Sequence, residues 1–492
     1  MERCCTVKTC GLVAAVSAVL LAAWASPAKC DGIRTSAMGN CSIALEDPDN
    51  QINPYDYGRN PAYLGLDFER AWIRYAFSVS EQQGDLRRPY DPHLLNTTFA
   101  EFKGRKHLND RQAVSGSFRY ERLWQREQWH SLEIDPYNDP FYLTDLTTGD
   151  ITHWGPLMSA DYSLRLSPQA SIGVGFDYGI STGLKDYYTK PQIEHNYARG
   201  SVGLLLQPRA EWHFGLIARP MRLQNRTSFD GTNENRDLII HRYYGDGIYD
   251  IRTFSAYSMT EKMRGIGIDV QNFVTTDRVK VGTIFTYDYA ENKLEGKTSP
   301  PEQIGYWQDK TLDFKFLARY TPENTPLVLG VNGRSMNCSG WANRPKFEGV
   351  VLFDNPIQLR SLGAGASYTI RPAGLTVAAD YVLNSYDIEA NDYGANDFRA
   401  QEFIQNVGKL GVEYAAYNVF SVRGGVEVTD YIADRWLKLP VNTDRYRFTA
   451  GGSYAWHLWQ VDAVIAYGRD TQNDTDAQRR DLGGMVWFTH LE

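Results

Sequence analysis

The chain has 492 residues, rich in Tyr (31) and Trp (12), and a formal net charge of −8. That length holds two or three soluble domains or one large barrel, and the acidic balance argues against nucleic acid as the main partner. Past the N-terminus no run reaches the ~18 apolar residues of a spanning helix, and the six cysteines form no CxxC pair, so no metal or cofactor is expected.

Residues 1–25 read as a secretory signal: Arg3 and Lys8 precede the short apolar run Gly11 to Ala23, and Ala23-Trp24-Ala25 supplies small residues for cleavage. Cys4, Cys5 and Cys10 leave with it, and a Cys30–Cys41 bridge suits an oxidising periplasm. Residues 26–66 follow as a loop-rich lead segment, dense in Gly, Asn, Asp and Pro and without alternation.

From residue 67 onward the chain reads as strands. Ile73, Tyr75, Phe77 and Val79 alternate with polar or small neighbours, and the same period of two returns at Val114, Met158, Ile172, Val202, Trp212, Ile266, Val281, Leu312 and Leu327. Leu362 to Ile370 turns at Arg371-Pro372-Ala373-Gly374 into Leu375 to Leu383, and Leu410, Phe420 and Leu482 start further strands. The pattern supports roughly 14 to 18 strands with few helical segments between them, hence an antiparallel sheet. Short turns at His457 and Arg371 contrast with long polar segments such as Gln82 to Arg111, Gln224 to Gly247, Asn292 to Lys310 and Arg469 to Arg480.

The hairpin Tyr446 to Tyr467 shows what these strands are for. Its apolar face carries Trp456 and Trp459 beside the turn and Tyr446 and Tyr467 at the far end, with Ala450, Ala463 and Ile465 between them. Ten residues tilted about 45° project to roughly 23 Å, close to the apolar band of an outer-membrane barrel, whose interfaces concentrate aromatic rings. A soluble barrel or sandwich shares the alternation. The opposite face separates the two: strand after strand it is Gly, Ser, Thr, Asp and Arg, a composition suited to a crowded, wet lumen. The fold expected is therefore all-β, an antiparallel transmembrane β-barrel spanning residues 67–492.

No HExxH, GxSxG or P-loop is present, and the spacing of Gly173, Gly175 and Gly179 follows the pleat of a strand, so no catalytic residue is assigned and no enzyme is expected. Asp47 to Asn53 and Asp470 to Asp476 read as solvated turns, the first lacking the glycine and acid of a calcium loop. Arg74, Arg119, Asp161, Arg165, Asp177, Arg447 and Asp462 fall on lumen faces, where they either set selectivity or pair to brace the interior.

Ser36-Ala37-Met38-Gly39-Asn40-Cys41-Ser42-Ile43-Ala44-Leu45 and Asn60-Pro61-Ala62 resemble the N-terminal region of FadL-type outer-membrane transporters. The resemblance implies about 14 strands, an N-terminal hatch or plug that includes Asn60, Pro61 and Ala62, a bacterial outer-membrane location, and passage of a hydrophobic small-molecule solute. Read alone, Asn-Pro-Ala is a rigid corner, in a plug or at the turn before the first strand. The partners implied are outer-membrane lipid and the barrel assembly machinery. Two alternatives to a channel stay open: an outer-membrane assembly or secretion component that transports nothing, and a secreted soluble glycan-binding β-protein.

Overall fold

The computed structural model describes residues 33–45, 60–66, 71–131, 143–187, 190–230, 238–243, 249–254, 256–296, 302–343, 350–416, 419–432 and 442–491. The signal-like residues 1–25, Cys30 and the turn 47–53 lie outside this set, as do parts of the lead segment.

Alternating sequence becomes alternating burial. The strands are β1 (Trp72–Gly84), β2 (Leu94–Asn109), β3 (Gln112–Ser131), β4 (Leu143–Ser167), β5 (Ala170–Lys185), β6 (Gln192–Arg209), β7 (Trp212–Asp230), β8 (Leu238–Tyr243), β9 (Tyr249–Phe254) and β10 (Ala256–Thr275). They continue as β11 (Val279–Gly296), β12 (Glu302–Tyr320), β13 (Leu327–Asn343), β14 (Phe353–Ile370), β15 (Leu375–Asp392), β16 (Asp397–Ala416), β17 (Phe420–Thr429), β18 (Thr443–Trp456), β19 (Trp459–Gln472) and β20 (Gln478–Leu491). Along β19, Trp459, Ile465 and Tyr467 are exposed on one face while Asp462, Val464, Ala466 and Asp470 are buried on the other.

Each strand pairs antiparallel with its neighbours, and β1 pairs with β20 from Trp72↔Leu491 to Gly84↔Arg479, which closes the sheet. Eighteen strands form the closed barrel. The hairpin β8–β9 stands outside it and, among the described residues, pairs with the start of β4 through Leu143↔Arg242, Thr144↔His241 and Asp145↔Ile240. The expectation of about 14 strands is thereby corrected. That number came from the resemblance, whereas the alternating pattern alone found every barrel strand except β2. In β2 the inward face holds Leu95 and Phe99 and the outward face holds Asn96, Thr98 and Lys106, so its polarity is blurred and it was absorbed into a supposed loop.

The other supposed loops shrink for the same reason. β7 continues to Asp230, β11 to Gly296 and β19 to Gln472. One rim is nonetheless made of tight connections. Trp456 and Trp459 face each other across His457-Leu458, with His457 at φ 52°, and Gly374 at φ 61° closes the turn that begins at Arg371. A left-handed φ is cheap for glycine, which has no Cβ to clash.

The expected hatch or plug is not shown. The described N-terminal pieces, α1 (Ile33–Ala37) with residues 38–45 and the 3-10 turn Pro61–Leu66, lie against the inner faces of wall strands.

Candidate functional site

The inner wall near the short-turn rim carries the two N-terminal pieces, and each contact has a polar cause. Arg34 Nε donates to Glu413 Oε2 at 2.9 Å, on β16. Thr449 Oγ1 of β18 donates to Ala37 O and accepts the Gly39 N–H, both at 3.0 Å. Asn40 Nδ2 donates to Glu427 of β17 at 2.7 Å, and Lys409 Nζ of β16 donates to Asn40 O at 3.1 Å. Asp380 Oδ2 of β15 accepts the N–H groups of Ser42 and Ile43 at 2.6 and 3.0 Å. Arg319 of β12 donates to the carbonyls of the same two residues at 2.6 and 2.7 Å, and Ser367 of β14 to Ala44 O at 3.1 Å. The segment thus runs from β18 back to β12, against the strand order.

The second piece continues the course. Asn60 Nδ2 donates to Gln271 Oε1 of β10 at 3.2 Å and to Leu204 O of β6 at 3.4 Å, while its Oδ1 accepts the Ala62 N–H at 3.0 Å and forms the corner before Pro61–Leu66. Ser163 of β4 donates to Ala62 O at 3.2 Å. Tyr63 and Leu64 pack with Ala113, Leu205, Phe273 and Ile284. Together the pieces form an inner belt, and these partners lie within seven residues of the short-turn ends of their strands.

Missing side chains make the room. A Cβ on Gly425 would sit 2.0 Å from Gly39 N, one on Gly330 2.5 Å from Ile43 O, and one on Gly173 2.3 Å from Ala62 N. These inward glycines let backbone lie on backbone, where hydrogen bonds can reach.

Charge on the wall is paired. Arg423 Nε donates to Glu413 Oε1 at 2.7 Å, and its Nη1 lies 3.6 Å from Asp462 Oδ1, so Arg34, Glu413, Arg423 and Asp462 form one chain of alternating sign. Asp177 accepts from Arg199 Nε at 2.8 Å, Asp269 from Arg219 Nη1 at 2.6 Å, and Asp313 from Arg334 Nε at 2.8 Å. Buried pairs of this kind add little net stability, but removing one partner strands the other. Higher on the inner wall, Tyr386 stacks on Phe403 with ring centroids 5.0 Å apart, beside Cys338, Ile357 and Ile388.

The residues singled out from sequence are dispersed over the wall. Arg74 Nε donates to Thr489 Oγ1 at 3.0 Å across the closing seam and its guanidinium lies 4.2 Å from the Trp487 ring centroid. Arg119 donates to Glu101 at 3.1 Å and lies over Phe99. Asp161 and Arg165 on β4 and Asp177 on β5 take inward positions on neighbouring strands, and Arg447 on β18 and Asp462 on β19 do so on another neighbouring pair. Tyr446, Trp456, Trp459 and Tyr467 are exposed on the outside. Asp470, read as part of a solvated turn, is instead fully buried between Arg445 and Arg479. Cys41 is a free thiol, which corrects the Cys30–Cys41 bridge; its Sγ donates to Ala378 O at 3.6 Å, and burial, helped by the Asp380 charge, pushes its pKa up to about 12. Among the described residues no group of three or more His, Cys, Asp or Glu is placed to hold a metal ion.

Asp380, Arg319, Glu413 and Thr449, which hold the belt, were not singled out from sequence. The signal in the sequence is an inward charge beside inward glycine, as in Gly411 and Glu413, but the partners of these four lie more than 270 residues away.

Fold and inner wall together define a closed antiparallel β-barrel with an apolar outside, a charged inside and an N-terminal belt bound within. The model of the family of unknown function DUF6850 matches residues 61–458, and the chain belongs to that family. No curated protein matches it. Among solved structures it is similar to the CymD monoaromatic hydrocarbon channel (13% identity, 93% of this chain and 97% of that one, TM-score 0.36). It is also similar to the Pseudomonas putida toluene transporter TodX (13%, 93% and 97%, 0.34) and the unliganded ferric citrate transporter FecA (9%, 85% and 78%, 0.46). Similarity at this level assigns neither a solute nor a mechanism.

Proposed function

We propose that the chain is a bacterial outer-membrane channel for small solutes, and that the belt, with Asn60, Pro61 and Ala62 in it, shapes the lumen at the short-turn end. The observation that carries this is the inverted polarity of the sheet. Phe77, Val202, Leu362, Phe448 and Ile465, all at least half exposed, face outward, while Asp269, Asp380, Glu413, Arg319 and Arg423 are buried inward. An apolar outer band beside a charged interior is stable in lipid and wasteful in water. Eighteen strands enclose a lumen wide enough for an aqueous path. Trp456 and Trp459 then anchor the periplasmic interface, and Tyr446 and Tyr467 the opposite one.

The solute class we assign is small and at least partly hydrophobic. The inward aromatic shelf at Tyr386 and Phe403 supports it, as does the likeness of residues 36–45 and 60–62 to FadL-type transporters. Purified protein inserted into liposomes tests the proposal through efflux of entrapped solutes of graded size and polarity. A size-limited efflux that Asp380→Ala alters supports the reading; liposomes that stay tight with inserted, heat-modifiable barrel overturn it.

A further inference from the structure

The outside of the barrel changes character about ten residues in from the short-turn rim. Up to that level most outward positions are apolar or aromatic, as in Trp212, Leu216, Ile266, Ile268 and Val270, with Lys106 on β2 and Asn272 on β10 among the polar ones. At that level Arg122, Arg222, Arg264, Lys310, Arg360, Arg469 and Arg480 all point outward and are exposed. Seven cations at one height, in a chain with 51 basic and 59 acidic residues, is an enrichment by position and not by composition.

Register sharpens the point. Arg222 lies directly opposite Arg264 on β7 and β10, and Arg469 directly opposite Arg480 on β19 and β20. Directly opposed side chains on one face have Cβ atoms about 5 Å apart, and like charges there repel. Two to four residues farther from the short turns, cations on the same two strands have carboxylates on the flanking strands: Arg226 lies 3.8 Å from Glu194 of β6 and Lys262 2.5 Å from Glu295 of β11. At the upper edge of the apolar band Arg222 and Arg264 face each other with Glu291 of β11 on the other side of Arg264, and Arg469 and Arg480 face each other between Tyr446 and Gln83.

Ten residues of tilted strand project to roughly 23 Å, so this ring stands where lipid headgroups begin on the long-loop side of a spanning barrel. We propose that the ring is a binding site for the phosphate groups of a phosphorylated glycolipid in the outer leaflet, with Arg222/Arg264 and Arg469/Arg480 as its two strongest points. Guanidinium forks bind phosphate oxygens two at a time, and one phosphate between opposed arginines turns a repulsive pair into a bridged one. The proposal rests on the membrane-channel reading, since a soluble barrel has no headgroups at that height.

The test uses the purified full chain in vesicles of zwitterionic phospholipid, supplemented with bisphosphorylated lipid A, with the same glycolipid stripped of phosphate, or with inorganic phosphate alone. Glycolipid retained by the protein and the midpoint of heat-modifiable gel mobility are read in each. Retention and an upward midpoint shift with the bisphosphorylated form alone are expected. In Arg222→Gln/Arg264→Gln, and separately in Arg469→Gln/Arg480→Gln, apparent affinity should fall on the order of thirtyfold, from roughly tenfold or less per basic residue at an anionic surface. Solute efflux should persist in both variants, because neither pair faces the lumen. Equal retention of the stripped glycolipid, or a shift reproduced by inorganic phosphate, overturns the proposal; the wild-type arms decide it even if a variant fails to fold. Insertion without phosphate-dependent retention removes this inference and leaves the channel reading, whereas failure to insert removes both.

Discussion

Replacing Asp380 by Ala should release the inner belt without opening the barrel. The carboxylate accepts the N–H groups of Ser42 and Ile43 at 2.6 and 3.0 Å, and two charge-assisted bonds at the low end of their range are worth about 3 kcal/mol. Loss of that much raises the population with residues 38–45 off the wall on the order of a hundredfold. Cys41 reports it directly, because its fully buried thiol is inert while docked and reacts with a maleimide once released. Peptide mapping by mass spectrometry follows labelling at Cys41 separately from Cys338, with gel mobility confirming an intact barrel. An unchanged Cys41 rate in Asp380→Ala, or a wild-type rate equal to that of a free thiol, would refute the reasoning.

Gly425→Ala should have a similar effect by a steric route, since the new Cβ would lie 2.0 Å from Gly39 N; Cys41 labelling should rise while Gly408→Ala, with nothing within 4 Å, leaves it unchanged. The pH dependence has a defined sign: the docked thiol titrates near 12, above the ordinary value of about 8.5, so docking is fully favourable below ~8.5 and weakens as pH rises toward 12. Wild-type Cys41 labelling should therefore keep climbing about tenfold per pH unit past pH 9, where labelling of a small free thiol levels off. Lys185→Met should expose the start of β4, because Lys185 and Asp145, both fully buried and 2.6 Å apart, would lose their pairing at a cost of about 3–5 kcal/mol. Faster amide exchange confined to residues 143–150 and the β8–β9 hairpin is the expected result.

Where a strand separates outward apolar from inward polar side chains, its sequence reads clearly. β18 and β19 were legible down to the facing tryptophans, and in β1, β3 and β5 Arg74, Arg119 and Asp177 lie on the face opposite the exposed apolar residues, the parity their sequence shows. β2 was not, because Phe99 packs inward under Arg119, so an apolar residue occupies the face that elsewhere is polar. The belt was visible only as a segment without alternation. Its hydrogen bonds join residues 34–44 to positions from 319 to 449, and no local pattern encodes such a pairing. Gly173 shows the limit well: its spacing follows the pleat, as any strand residue does, yet what fixes it as glycine is the backbone of Pro61 and Ala62 lying upon it.

The belt also orders the events of folding. Arg34 binds Glu413 across 379 positions, Thr449 binds Ala37 across 412, and Arg74 reaches Thr489 across 415 at the seam. Closing a loop of such length from an unfolded chain costs about 3 kcal/mol more entropy than closing a ten-residue hairpin, so these contacts wait until intervening strands have shortened the path. The earliest residues to emerge are therefore among the last to be fixed. A nascent chain halted before β16 has neither the carboxylate for Arg34 nor the hydroxyl for Ala37 and Gly39, and its open edge and unsecured N-terminus remain together available to chaperones and proteases.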